Sequence, residues 1–477
     1  MPIGYMTLIY FLLFTYLLFI FPFILQIIFY IASIRRNINT IDISMEAQSS
    51  ENPPKVTILV PVRNEDPHLV TRLLYEINKL NYGHDKIEVI IISDDLKKDF
   101  LKLKNIIENT SKHVDYEVKL LWRPYAKGFK AGALNYGLKH AKGEIITVLD
   151  ADSLPEQNLL KKALSALRKG YDALMVKWLP SNPNENLLCE AIGSYQKFAF
   201  KTLFEGRFKV LGYTGLAGSG FIIRRKVLEK LGGFNENCIL EDVDLGLRLF
   251  LKKYNIGFLT NTYVSLEVPS DYLSYREQQK RWAYGAAQVM KRYFISILKS
   301  TRSIIEKLEY SVYLSQYISS LLLLLFTLLA TLLYFAYGSI DFIFKPLLTL
   351  WVFIFSIYTG LFIHFNVRGG LSIFRAIRIA GRISGVTYPM MPHLMLSTFK
   401  ALIGIRLFWL VTPKGARKRE FKVRKRFPLI YETLYFILLA LLLFGVLSKG
   451  YLLISSWILL QLSSAPYFYY MFLKEKI

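Results

Sequence analysis

The chain is predicted to fold as an α/β domain with a mostly parallel sheet, joined to an α-helical membrane domain of about five spans with interfacial helices. Three observations predict this. Long apolar segments stand towards both ends of a sequence that is 53% hydrophobic. Between them, short β-type runs alternate with helical patterns, as in sheets whose strands are joined by crossover helices. Acidic pairs follow several of those runs, where an open α/β sheet presents its strand ends to a ligand.

The elements follow in order. Met6 to Ser33 is apolar, interrupted by Pro22 and closed by Arg35-Arg36. A cleaved signal would have a core of roughly 7–15 residues, so residues 1–36 are read as a retained span with its N-terminus outside. Residues 37–54 form a polar linker, and 55–300 the α/β domain. Strands are expected at Val56–Val62, Ile87–Ser93, Tyr116–Trp122, Glu144–Leu149 and Ala173–Trp178, and helices at Pro67–Leu80, Gly128–Ala141 and Glu241–Lys253. An amphipathic interfacial helix, Tyr272–Tyr293, closes the domain. Residues 301–365 hold a membrane hairpin of Ser315–Tyr337 and Leu347–His364. Residues 428–477 hold a second, Leu429–Leu447 and Tyr451–Phe472.

The formal charge of +24 is concentrated between these hairpins. In the 366–427 segment Glu420 is the only acid among many Lys and Arg, and Leu371–Ile383 carries arginines at helical spacing among Ile, Phe and Leu. That pattern fits an interfacial helix on anionic headgroups, at about 1 kcal/mol per juxtamembrane cation. Membrane lipids are therefore the expected partner, and nucleic acid is not. The positive-inside rule places the α/β domain and the basic segment in the cytosol of a multi-pass cell-membrane protein. Cys189 and Cys238 offer neither a disulfide framework nor metal spacing.

The chemistry is carried by short motifs. Asp150-Ala151-Asp152 follows a buried strand and puts two carboxylates on one tripeptide. That suits a divalent cation, Mg²⁺ or Mn²⁺, which takes its other ligands from water and a substrate diphosphate. Asp94-Asp95 ends another strand and can accept hydrogen bonds from a nucleobase or a ribose. Lys130, at the start of a helix opened by Gly128, can reach a phosphate. Glu241-Asp242 opens a helix, where acids favour the dipole or serve as a general base. Gln278, Arg281 and Trp282 share roughly one helix face. Arg281 could hold a leaving diphosphate, and Trp282 is a flat platform for a sugar ring.

Together these motifs resemble the membrane-bound family 2 glycosyltransferases of the GT-A fold, an α/β fold with a Rossmann-like mixed sheet. Cellulose synthases, hyaluronan synthases and related lipid glycosyltransferases belong to that group. The resemblance covers roughly Lys55 to Gly285. It implies a nucleotide-diphosphate sugar donor, a UDP-sugar, bordered by Pro61, Glu65, Asp94, Asp95, Lys130, Asp150, Gln278 and Arg281. It also implies metal at Asp150 and Asp152, Asp242 as base with Glu241 next to it, and Trp282 on the acceptor side. Leu240 stands where a threonine precedes Glu241 in the family, and Arg63 where a tyrosine often stands. Val411-Thr412-Pro413-Lys414-Gly415 resembles the family's gating loop, with Trp409 in place of a phenylalanine.

The function expected is inverting transfer of a sugar to a hydroxyl, as processive polysaccharide synthesis. The alternative is a single transfer to a lipid acceptor. A catalytically silent transporter or scaffold fits less well, because the expected spans hold almost no ionisable residues.

Overall fold

A computed structural model of the chain describes residues 3–35, 41, 52–405 and 429–474. Its strands are β1 (Val56–Val62), β2 (Ile87–Ser93), β3 (Glu117–Trp122), β4 (Ile145–Val148), β5 (Leu154–Pro155), β6 (Ala173–Pro180), β7 (Ile222–Arg224) and β8 (Ile256–Leu266). They form one sheet in the order β3-β2-β1-β4-β7-β6-β8-β5. The Ile/Val-rich β2 is buried at every position, as a parallel strand covered on both faces must be.

β1 pairs in parallel with β2 on one side and β4 on the other. The strand order therefore reverses at β1, and the carboxyl ends of β1, β2 and β4 open onto one crevice. β7 runs antiparallel to both β4 and β6, which makes the sheet mixed rather than purely parallel. At three residues β7 is too short to announce itself by periodicity. β8 was also missed, since Gly257 and Asn261 break its alternation.

Among the described residues, four helices are long and apolar enough to cross a membrane: those containing Gly4–Ile34, Ile318–Tyr337, Asp341–Arg368 and Ile430–Ser448. Two run through a proline, at Pro22 and Pro346. The expected fifth span is instead two 11-residue helices, Leu452–Leu462 and Ser464–Lys474. Pro466 has no N–H to offer the Leu462 carbonyl, and the hydroxyls of Ser463 and Ser464 bond back to the carbonyls of Leu460 and Gln461. The basic helix runs from Ile373 to Thr387, capped by the Ser372 hydroxyl.

The 28-residue Tyr272–Lys299 helix joins catalytic domain to spans, and its Asp271 cap accepts from the Ser274 N–H. The spans carry more charge than expected. Glu432, buried in the first turn of Ile430–Ser448, accepts from Arg276 at 2.6 Å and Tyr272 at 2.9 Å, with His393 Nε2 3.0 Å away. One carboxylate thus pins three helices together, a pattern invisible until the chain folds.

Candidate active site

Residues from several separate segments meet at the crevice. After β4, Asp150 places Oδ1 2.8 Å from Lys130 Nζ, and its N–H bonds to the Ser219 hydroxyl at 3.1 Å. Lys130 also lies 3.2 Å from Glu241 Oε1 and donates to the Gly218 carbonyl at 2.6 Å. It reaches this position because Gly128 (φ 76) and Phe129 (φ 53) turn the chain sharply into the helix Phe129–His140. A Cβ at Gly128 would stand 2.7 Å from Glu236, so glycine is required there. Phe129, a bulky side chain with positive φ, is the kind of strain that gathers at functional sites. The acids around Lys130 outweigh its burial and hold its ammonium well above the usual lysine range, led by Asp150 and then Glu241.

Asp242 is the neighbour that is not neutralised. It is 8% exposed, and its Oδ1 is buried without a hydrogen-bond partner. Burial first, and the adjacent Glu241 second, push its carboxyl up to about 7, against the pull of Lys130 and two backbone N–H groups. A carboxylate tuned to that range is suited to take a proton near neutral pH. Leu240, before the acidic pair, packs against Gly285 so tightly that a Cβ there would fall 2.3 Å from Leu240 Cγ. The position that departs from the family pattern thus seats the acidic helix on Tyr272–Lys299.

That long helix carries Gln278, Arg281 and Trp282, each half-buried, and Arg281 is the one of the three that the crevice acids act on. Burial lowers the Arg281 guanidinium, while Asp150, Glu241, Glu65 and Glu277 act on it in the opposite sense. Arg281 therefore faces acids from the ends of both β1 and β4. Asp152 is 3% exposed, and its Oδ2 accepts from the Glu267 N–H at 3.0 Å. Among the described residues no group of three or more His, Cys, Asp and Glu forms a self-contained metal cage. Two carboxylates at one strand end, with Asp150 partly open to the crevice, are still a fitting donor set for a hard cation completed by water and diphosphate.

The two acids after β2 differ from one another. Asp95 is buried, accepts from the Ser93 hydroxyl at 2.9 Å and from the Asn64 N–H, and ties β2 to the turn after β1. Asp94 receives two bonds from Arg123, at 2.6 and 2.5 Å. Pro61 is half-buried near the end of β1, opposite Ile92. Arg123 was missed, although an arginine directly after a strand end was a readable signal. Gly218 and Ser219 were missed as well, and the glycine-rich stretch from Gly212 to Gly220 could have pointed to them. Trp178 donates to the Ser219 carbonyl at 2.8 Å and supports that loop from below. The gating-like segment 411–415 and Trp409 lie outside the described residues.

Comparison with known proteins decides the family. The model "Glycosyl transferase family group 2" matches residues 145–364, and "Glycosyl transferase family 2" matches residues 57–232. A probable glycosyltransferase of Sulfolobus acidocaldarius is 30% identical over 465 residues, 96% of this chain and 98% of its own length. The chain belongs to glycosyl transferase family 2. As a glycosyltransferase it is also similar to a beta-monoglucosyldiacylglycerol synthase of Trichormus variabilis, at 33% identity over 52% of each chain. A probable glucomannan 4-beta-mannosyltransferase of Arabidopsis thaliana is 26% identical over 59% of this chain and 54% of its own. This chain thus spans about half of each of those two relatives. A mannosyltransferase from Pyrobaculum calidifontis, solved with GDP-Man and Mn²⁺, shares the fold with a TM-score of 0.57. It is 19% identical and covers 82% of this chain and 99% of its own. The mixed sheet of this glycosyltransferase is accordingly the GT-A fold.

Proposed function

We propose that this glycosyltransferase moves a sugar from a nucleotide-diphosphate donor to a hydroxyl acceptor in one inverting displacement, with Asp242 as the general base. The observation that carries this reading is the buried Asp242 carboxyl, pushed up to about 7 and unpaired at Oδ1, beside an Asp150–Lys130–Glu241 chain. Asp242 takes the acceptor's proton as its oxygen attacks the anomeric carbon and the diphosphate leaves. Arg281 and Lys130 balance the charge that builds on the departing oxygens, a contribution worth most in a water-poor crevice. Lys130 also holds Asp150 and Glu241 in place through its two ion pairs. Asp150 and Asp152 would hold Mg²⁺ or Mn²⁺, which when bound supplies Lewis-acid stabilisation of the leaving diphosphate. Asp94, Asp95, Pro61 and Glu65 border the nucleoside end, and Arg123 holds Asp94 in a set orientation.

The acceptor we read as a growing glycan, elongated at the cytosolic face. Trp282, one residue beyond Arg281 on the same helix, supports this by offering a sugar-sized platform, as do the glucomannan-forming relatives. Transfer to a lipid is the second reading. The diacylglycerol-glycosylating relatives favour it, as does the presence of only four long spans among the described residues. Proteoliposomes supplied with a panel of radiolabelled UDP- and GDP-sugars separate the two. A high-molecular-weight, glycanase-sensitive product that Trp282→Ala abolishes supports elongation. Label extracted entirely into organic solvent as a one-sugar lipid overturns it.

A further inference from the structure

A cavity of about 790 Å³, lined by both charged and apolar side chains, lies away from the sugar-transfer crevice. None of Lys130, Asp150, Asp152, Glu241, Asp242, Arg281 or Trp282 lines it. It forms where the ends of two spanning helices, at Ser33–Arg35 and Phe365–Gly369, meet the catalytic domain's Leu187–Ala199 helix and the π-helical turn Phe200–Gly206 that follows. Its volume is that of a small-molecule site.

The lining is strongly one-sided in charge, with Arg35, Lys197, Lys201, Lys209, Arg368 and Arg375 against Glu190 and Glu205. Both acids are already engaged. Glu205 lies 2.5 Å from Lys201 and 3.7 Å from Lys209, and Glu190 lies 2.6 Å from Arg375. Lys209 also donates to the carbonyls of Ser33 and Arg35, at 2.9 Å each, which anchors the first span's end in the cavity wall. Lys197, Arg35 and Arg368 have no carboxylate within ion-pair distance among the described residues. Burial pulls the Lys197 ammonium below the usual lysine range, against a weaker opposing pull from Glu190. Ile34, Phe365 and Leu371 add an apolar side to the same cavity. Cations together with an apolar side, at the ends of membrane-length helices, match a molecule with an anionic head and hydrocarbon tails better than a free anion.

We propose that this cavity binds the phosphate-bearing headgroup of an anionic membrane lipid, separately from donor and acceptor. Occupancy would be felt at the active site through a short path. Phe200 of the π-helical turn packs on Trp178 with ring centroids 5.1 Å apart, and Trp178 holds the Ser219 loop.

The test uses the full chain in nanodiscs of phosphatidylcholine alone, or with one-fifth phosphatidylglycerol, followed by thermal unfolding and native mass spectrometry. Phosphatidylglycerol should raise the unfolding temperature by several degrees and remain bound. Lys197→Glu combined with Arg368→Glu should abolish the shift. Each charge reversal removes about two surface-cation equivalents, about thirtyfold in binding, so the double variant should weaken lipid binding by up to about a thousandfold. The milder Lys197→Gln, useful if the double variant folds poorly, should weaken it about fivefold. Arg378→Glu, on the exposed face of the Ile373–Thr387 helix and outside the cavity, should leave the shift intact. The proposal fails if wild-type protein shows no shift or if the cavity variants keep it. It also fails if Arg378→Glu loses it equally, which would mean diffuse surface attraction. Glycerol phosphate added to phosphatidylcholine discs should do nothing, and a full shift from it would make this a small-anion site instead.

Discussion

Replacing Asp242 with asparagine should make the enzyme slower and, above neutral pH, more stable. The carboxyl stands at about 7 in the fold against an ordinary 3.8, a rise of about three units. At about 1.4 kcal/mol per unit, holding it ionised above pH 7 costs the native state up to about 4 kcal/mol. The sign follows from proton binding. Between pH 4 and pH 7 the folded chain binds the proton and the unfolded chain does not, so this group's contribution to stability falls as pH rises through that window. Asp242→Asn removes the titration. The variant should match wild type in stability near pH 4 and exceed it at pH 8. As general base, Asp242 must be deprotonated to act, so wild-type kcat should fall about tenfold per unit below its pKa. The variant should lose about 10²–10⁴-fold in rate while donor affinity stays nearly unchanged. Nucleoside diphosphate release and thermal unfolding, each followed across pH 4–9, provide both readouts. A variant that turns over at close to the normal rate would refute the assignment and make Glu241 the next candidate. One that is less stable than wild type at pH 8 would refute the strained-carboxylate argument.

Lys130→Ala leaves Glu241 and Asp150 without their shared cation. It should lower stability by about 2–4 kcal/mol and abolish transfer, as read by unfolding and product formation. Gly285→Ala forces a Cβ against Leu240 and should cut kcat at least about tenfold by displacing the Glu241–Asp242 turn. Leu240→Ala in the same chain should restore much of that loss, and failure of the rescue would sever the link between Gly285 and the acidic pair. Chelation should abolish activity, with Mg²⁺ or Mn²⁺ restoring it. Full turnover in excess chelator would remove the metal from Asp150 and Asp152.

The alternation of β-type runs with helical patterns was enough to place β1, β2, β3, β4 and β6, because buried parallel strands read as continuous apolar stretches. The residues that gather at the crevice were also legible, since strand-end acids and a helix-opening Lys130 are local signals. Span number was less so. Apolar content marks a segment long enough to cross, but whether it stays one helix depends on Pro466 and the serines beside it. Sequence alone therefore determined the fold class, and it pointed to membrane association and to the candidate residues of the crevice. Only the tertiary structure decided which charges meet. Lys130 joining Asp150 to Glu241, Arg123 clasping Asp94, and Glu432 collecting Arg276, Tyr272 and His393 are pairings between residues from 20 positions apart, for Lys130 and Asp150, to 160 apart, for Tyr272 and Glu432. Charge and hydrogen-bond energies depend on distance and burial, and no local pattern in the chain encodes either.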